Sequence, residues 1–158
     1  MEIKYLAILK NNPAHKFENS DYVKRLEPLT EAEINELEIL YNNGNIFPIA
    51  LRELLFLAGN YCYVLDFGMN DTQQALQAVA KRDLIRYKKS IERPFFAIDV
   101  YGGGGQFLFV YLDEGDEDPM VYEADLFESH PWIHSLHETL SQLIKSLMIR
   151  FLNGQNPF

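Results

Sequence analysis

The sequence predicts an α+β fold, with helices packed on an antiparallel or mixed curved sheet. Two kinds of pattern carry that expectation. Capping boxes followed by apolar residues at helical spacing occur toward both ends of the chain. Between them stand two nearly continuous apolar runs, 95–101 and 106–112, joined by Gly102-Gly103-Gly104-Gly105 as a hairpin would be. Helices flanking a hairpin differ from the regular βαβ alternation of a doubly wound sheet.

At 158 residues and 47% apolar composition, the chain fits one domain with one core. Residues 1–29 carry no readable pattern and are taken as an N-terminal extension. Thr30 and Glu33 form a capping box, and Ile34, Leu37, Leu40 and Tyr41 follow at helical spacing, so a helix runs to about Asn43. Asn42-Asn43-Gly44 stops it. Pro48 suits the first turn of a short helix over 48–57, because its missing N–H would have no partner there, and Gly59 is expected as its left-handed terminator. Residues 61–67 are rich in β-formers and predict a strand. Asp71 and Gln74 predict the cap of a helix carrying Leu76, Val79, Ala80, Leu84 and Tyr87, with a basic cluster on its far face. The two runs around the glycines then form a hairpin expected in the middle of a well-covered sheet, and 120–122 predicts another strand. Ser135 and Glu138 make a second capping box. Leu136, Leu140, Leu143, Ile144, Leu147, Met148 and Phe151 line one face of the helix it opens, up to Gly154, and that face must pack on the sheet.

Charge narrows the function classes. Fourteen Lys and Arg against 23 Asp and Glu give a net charge of −9, which repels the phosphate backbone that supplies most nucleic-acid affinity. Direct nucleic-acid binding is therefore not expected. Lys81, Arg82, Arg86, Lys88, Lys89 and Arg93 crowd into thirteen residues with only Asp83 and Glu92 among them, which leaves 21 acids against 8 bases elsewhere. Such a negative field attracts a basic protein partner and speeds its association. No membrane role is expected, since a span needs about 20 apolar residues and the stretch 54–65 is broken by Gly59 and Asn60. Glu2 and Lys4 do not suit a secretory leader, and the lone Cys62 cannot form an internal disulfide, so a cytoplasmic location is expected.

Several residues invite chemistry. The glycine run lacks the following helix and the Lys-Ser/Thr pair of a phosphate loop, and reads as a flexible hairpin. His130, His134 and His137 would share a face if a helix began at His130, but Pro131 and the cap at Ser135 break that face, and no HExxH motif is present. No metal or cofactor is expected. Asp113, Glu114, Asp116, Glu117 and Asp118 form an acidic loop between strands; an EF-hand would need Gly sixth and Glu twelfth, where Asp118 and Ala124 stand. The loop is either a solvated turn or a rim that pairs with Arg and Lys of a partner. Asp99 interrupts an apolar strand and must be compensated, with N–H groups of the glycine hairpin as the expected partners. Cys62 has no base nearby in sequence and reads as a buried small hydrophobe. Neither a GxSxG elbow nor a paired-carboxylate signature occurs, so no enzymatic activity is expected.

Three segments in order resemble the SUKH superfamily, which includes fungal glucan-synthesis regulators and bacterial immunity proteins. Residues 46–60, IFPIALRELLFLAGN, resemble its proline-started short helix, with the closing Asn-Gly turn reversed to Gly59-Asn60. Phe96-Ala97-Ile98-Asp99, followed by Gly102 to Gly105 and Phe107, resembles its central hairpin, and Asp118-Pro119-Met120-Val121-Tyr122 resembles the strand after its acidic loop. The resemblance spans about residues 30–152. It implies an α+β domain without catalytic residues and stoichiometric neutralisation of a cognate toxin, often a nuclease. A regulatory protein-binding scaffold like the fungal members is the alternative. On the immunity reading, the five loop carboxylates attract the toxin's basic cleft, and Tyr101, Tyr111 and Tyr122 serve as anchors near the same end of the sheet.

Overall fold

The computed structural model describes residues 1–16, 21–65 and 71–157. Among the described residues, five helices and two antiparallel sheets make an α+β fold. In chain order the elements are α1 (Ala7–Asn11), β1 (Ala14–Lys16), β2 (Val23–Arg25), α2 (Glu31–Tyr41), α3 (Ile49–Ala58), α4 (Gln73–Arg86), β3 (Phe95–Tyr101), β4 (Gln106–Tyr111), β5 (Met120–Asp125), β6 (Ile133–Thr139) and α5 (Leu140–Leu152). β1 and β2 form a two-stranded sheet, and the main sheet has the order β3-β4-β5-β6.

The register gives the main sheet two distinct faces. Phe95 lies opposite Tyr111, and Phe109 opposite Tyr122, so these side chains share one face. Their rings form a ladder: Phe109 meets Tyr122 at 5.7 Å and Tyr111 meets Tyr122 at 4.8 Å between centroids. Phe96 and Leu108 belong to the other face. There Phe96 packs 5.0 Å from Phe47 and 5.7 Å from Tyr41, while Leu108 shares a cavity of about 200 Å³ with Leu143 and Leu147 of α5, Asp99 and Tyr101. α5 therefore packs on the sheet through its apolar stripe. Its far end inserts Phe151 against Tyr63 and against His15 of the small sheet.

The capping box of α2 forms as its sequence predicts, with Glu33 Oε2 accepting from the Thr30 N–H at 2.8 Å and Thr30 Oγ1 accepting from the Glu33 N–H. Leu40, however, is 60% exposed and takes no part in the buried face. α3 begins one residue later than expected, with Pro48 just outside it as the cap position. Gly59 is not left-handed: its φ is −71°. Close packing explains the glycine instead, because a Cβ there would stand 2.4 Å from the Leu55 carbonyl oxygen and 2.6 Å from Leu29 Cγ.

The predicted strand over 61–67 is absent where it is described, and residues 66 and 67 lie outside the described residues. Tyr61 makes one isolated bridge to Glu27, then a turn closes through the Leu65 N–H to the Cys62 carbonyl. Cys62, Tyr63, Val64 and Leu65 are all buried consecutively. Their β-forming composition reflects burial on every side rather than a half-buried sheet surface. The α4 cap is Thr72, whose hydroxyl accepts from the Ala75 N–H at 3.1 Å, leaving Asp71 exposed one residue outside.

The glycine hairpin joins β3 and β4 as expected, but at the edge of the sheet rather than its middle. Gln77 of α4 closes that edge. Its amide donates to the Ala97 carbonyl at 2.7 Å and accepts from the Ala97 N–H at 2.9 Å, which replaces the pairing a neighbouring strand would supply. The last helix also starts later than expected. Residues 133–139 form β6, and the operative capping box is Thr139 with Gln142.

The N-terminal segment is fastened by a fully buried carboxylate. Glu53 of α3 accepts from the main-chain N–H groups of Lys4, Tyr5 and Leu6 at 2.6, 2.9 and 2.7 Å. Three charge-assisted bonds offset the cost of burying that charge, and they place Leu6 and Leu9 in the core.

A candidate protein-docking site at the acidic loop

The loop between β4 and β5 sits over the starts of two helices. The Ala50 N–H, in the first turn of α3, donates to the Glu117 carbonyl at 2.9 Å. The Leu140 N–H, the first of α5, donates to the Pro119 carbonyl, also at 2.9 Å. Helix starts present unpaired N–H groups and a partial positive charge, so an acidic loop is stabilised in this place.

Each carboxylate has its own surroundings. Asp113 accepts from Arg93 Nε at 3.1 Å and Nη2 at 2.6 Å, and the same guanidinium lies 3.8 Å from the centre of the Tyr111 ring. The hydrogen bonds from Arg93 hold the Asp113 carboxyl below the usual range, and the same bonds to Asp113 raise the Arg93 pKa above its ordinary value. Glu114 accepts from the Tyr122 hydroxyl at 2.8 Å; burial first, and then that bond, push the Tyr122 hydroxyl up to about 12. Glu117 binds the Lys4 ammonium and, at 2.7 Å, the Tyr5 hydroxyl, and the Lys4 contact lowers its pKa. Asp118 accepts from the Ser141 N–H at 3.0 Å, the Ser141 hydroxyl at 2.6 Å and the Thr139 hydroxyl at 2.7 Å. It caps α5 from outside the helix. Asp116 is exposed and makes no hydrogen bond or ion pair among the described residues.

The loop and the start of α3 enclose a groove of about 210 Å³. Phe47, Pro48, Leu112 and Ile46 supply its apolar lining, with Asp116 and Glu117 on its rim. Ile46 is 70% exposed. A groove of this kind can take the aliphatic stem of an Arg or Lys while the carboxylates meet its charged head. Sequence reasoning singled out the acids but missed Ile46, Phe47 and Pro48 as their neighbours, along with Arg93 and Lys4 as their internal partners. The signals exist only across elements.

The three tyrosines do not cluster. Tyr111 and Tyr122 share the aromatic face near the acidic loop, whereas Tyr101 lies opposite Gln106 at the glycine-hairpin end of β3. Its hydroxyl donates to Glu123 on the other face, beside the α5 cavity. The expectation of a common end fails because Tyr101 and Tyr111 are the far ends of an antiparallel pair. Asp99 is buried opposite Leu108 and lines that same cavity.

The histidines lie on a strand and its approach rather than on a helix. His134 meets Glu128 at 2.8 Å, His137 has a φ of 56°, and His130 precedes the cis Pro131. Among the described residues no group of three or more His, Cys, Asp or Glu could hold a metal ion. Cys62 is buried, and desolvation pushes its thiol up to about 12, which leaves negligible thiolate at neutral pH. Among the described residues no helix is long and apolar enough to cross a membrane. Compared with known proteins, the chain matches no family model, and no curated protein or solved structure is significantly similar to it.

Proposed function

We propose that this chain works by binding and blocking a basic protein, as an immunity protein that neutralises a cognate toxin. The observation that carries the reading is the groove beside the acidic loop, where an apolar floor and unspent carboxylate charge stand together on a chain of net charge −9. Exposed charge pairs are each worth only about 0 to 1 kcal/mol, so charge alone steers a partner without holding it. Ile46 and the groove supply the desolvated contact that affinity needs. A nuclease toxin is a fitting target, because a cleft that grips phosphates presents Arg and Lys. The ordered resemblance of 46–60, 96–107 and 118–122 to the SUKH superfamily supports the same reading.

The test is to titrate the toxic activity of the neighbouring gene's product with the purified chain, unchanged and as Asp116→Lys with Ile46→Ser. Loss of activity at one-to-one stoichiometry, with affinity about tenfold weaker or worse for the double variant, is the expected result. Tight inhibition that ignores both substitutions would place the contact elsewhere. No inhibition by the unchanged chain would refute the function.

A further inference from the structure

A second surface of opposite sign lies on α4. Lys81, Arg82, Ile85 and Arg86 recur at helical spacing on its exposed side, and Lys88 follows just past its end. On a chain with 23 acids, only one of these cations meets a carboxylate among the described residues, Arg82 with Asp83 at 3.3 Å. Two of the others rest on rings: Lys81 lies 4.9 Å from the centre of Tyr41, and Arg86 lies 5.6 Å from that of Tyr87. Ile85, in their midst, is 78% exposed. The band extends at both ends through those rings. Tyr87 meets the exposed Phe127 edge-on at 5.4 Å, and Tyr41 follows the exposed Leu40.

Cations near a helix C-terminus interact favourably with its dipole, and Arg86 and Lys88 are accounted for in part that way. That effect fades within the last turn, so it gives no reason for Lys81, and none for an isoleucine left in water among cations. The position is also separate from the acidic loop. α4 runs alongside β3, with Gln77 at Ala97 and Asp83 at Gly104, so its last turn lies at the glycine-hairpin end, while the acidic loop follows the opposite end of β4.

We propose that this face of α4 is a second docking surface, and that its occupant is an acidic protein segment carrying an apolar side chain for Ile85. Charge complementarity selects the sign of the occupant, and the exposed apolar side chains within the basic band select a polypeptide over a nucleic acid. A long phosphate backbone would also meet the field of a chain whose net charge is −9.

Fluorescence anisotropy tests this on the full chain. The probes are a labelled synthetic peptide of alternating glutamate and leucine, an all-glutamate peptide of equal length, and a single-stranded oligodeoxynucleotide of matched charge. The Glu-Leu peptide is expected to bind tightest and to weaken as salt is raised. Combined Lys81→Glu, Arg82→Glu and Arg86→Glu should weaken it by about tenfold or more. Ile85→Ser should weaken the Glu-Leu peptide while leaving the all-glutamate peptide unchanged, a selectivity that a general loss of folding would not produce. Tighter binding of the oligonucleotide, no binding of the Glu-Leu peptide, or binding indifferent to the charge reversals would each overturn the proposal. All these variants leave the acidic loop intact, so this outcome and that of the toxin titration are independent.

Discussion

Asp118 carries charge in the candidate docking loop, yet its bonds assign it to the fold. Replacing it with alanine removes the acceptor for the Ser141 N–H, at 3.0 Å, and for the hydroxyls of Ser141 and Thr139. Loss of a side-chain cap costs about 1 kcal/mol, within a range of about 0.5–2, and loss of an anion from a helix start costs about 0.3–1 kcal/mol more. The two hydroxyls are only part-buried and can turn to water, so no further penalty for orphaned groups is added. The Thr139–Gln142 capping box remains and limits the damage. The sum is about 2 kcal/mol, and at about 2–4 °C per kcal/mol for a chain of this size, Asp118→Ala should lower Tm by about 4–8 °C. Circular dichroism melts would read this, with Asp116→Ala as the paired control, expected to change stability by about 0.5 kcal/mol or less. Equal shifts for the two variants would refute the reasoning, since the loop would then contribute through net charge rather than through a cap at α5. The pair also separates fold from function: Asp116→Lys should weaken the partner without shifting Tm appreciably.

Gly59→Ala should destabilise by about 1–3 kcal/mol, read as a lower urea midpoint at unchanged slope, because the added carbon meets the Leu55 carbonyl and the Leu29 side chain at under 3 Å. Leu29 is itself buried, so the check is a double-mutant cycle: Gly59→Ala should cost less in the Leu29→Ala background if side-chain crowding is the cause, and an unchanged cost would point to the backbone contact alone. For Asp113, a folded pKa below the unfolded one means that the Arg93 pair contributes stability above the unfolded value near 4 and loses it as pH falls through the depressed folded value. Carboxyl NMR titration should show Asp113 moving up toward the usual range in Arg93→Gln; an unchanged midpoint would mean that the pair is not formed in solution.

The parts of this fold legible in the sequence are those specified within a few residues. The Thr30–Glu33 box lies within one helical turn and forms as the sequence predicts. Ser135 and Glu138 show the same spacing by coincidence, since Leu136 happens to extend the apolar period of Leu140, Leu143 and Ile144 backward by one turn. The true box at Thr139 and Gln142 uses the next four residues. β6 escapes notice because its ladder is irregular, with a register shift against β5 and a left-handed His137, so it lacks clean alternation. The N-terminal segment is illegible for a different reason: the groups that order it belong to Glu53, 47 to 49 residues away.

The same distinction governs the acidic loop. From composition, its five carboxylates are equivalent charges facing a basic partner. In the fold, Arg93 holds Asp113, Tyr122 binds Glu114, Lys4 holds Glu117 and the start of α5 holds Asp118, at separations from 8 to 113 residues. Only Asp116 points out uncommitted among the described residues, and Glu117 can be shared because it is half exposed. On the proposed docking role, the charge free to meet a partner is therefore smaller than the sequence count, and the groove would have to supply correspondingly more of the affinity. Substitutions at Ile46 should accordingly act on dissociation, where buried contacts are lost, while substitutions at Asp116 should act chiefly on association and its salt dependence.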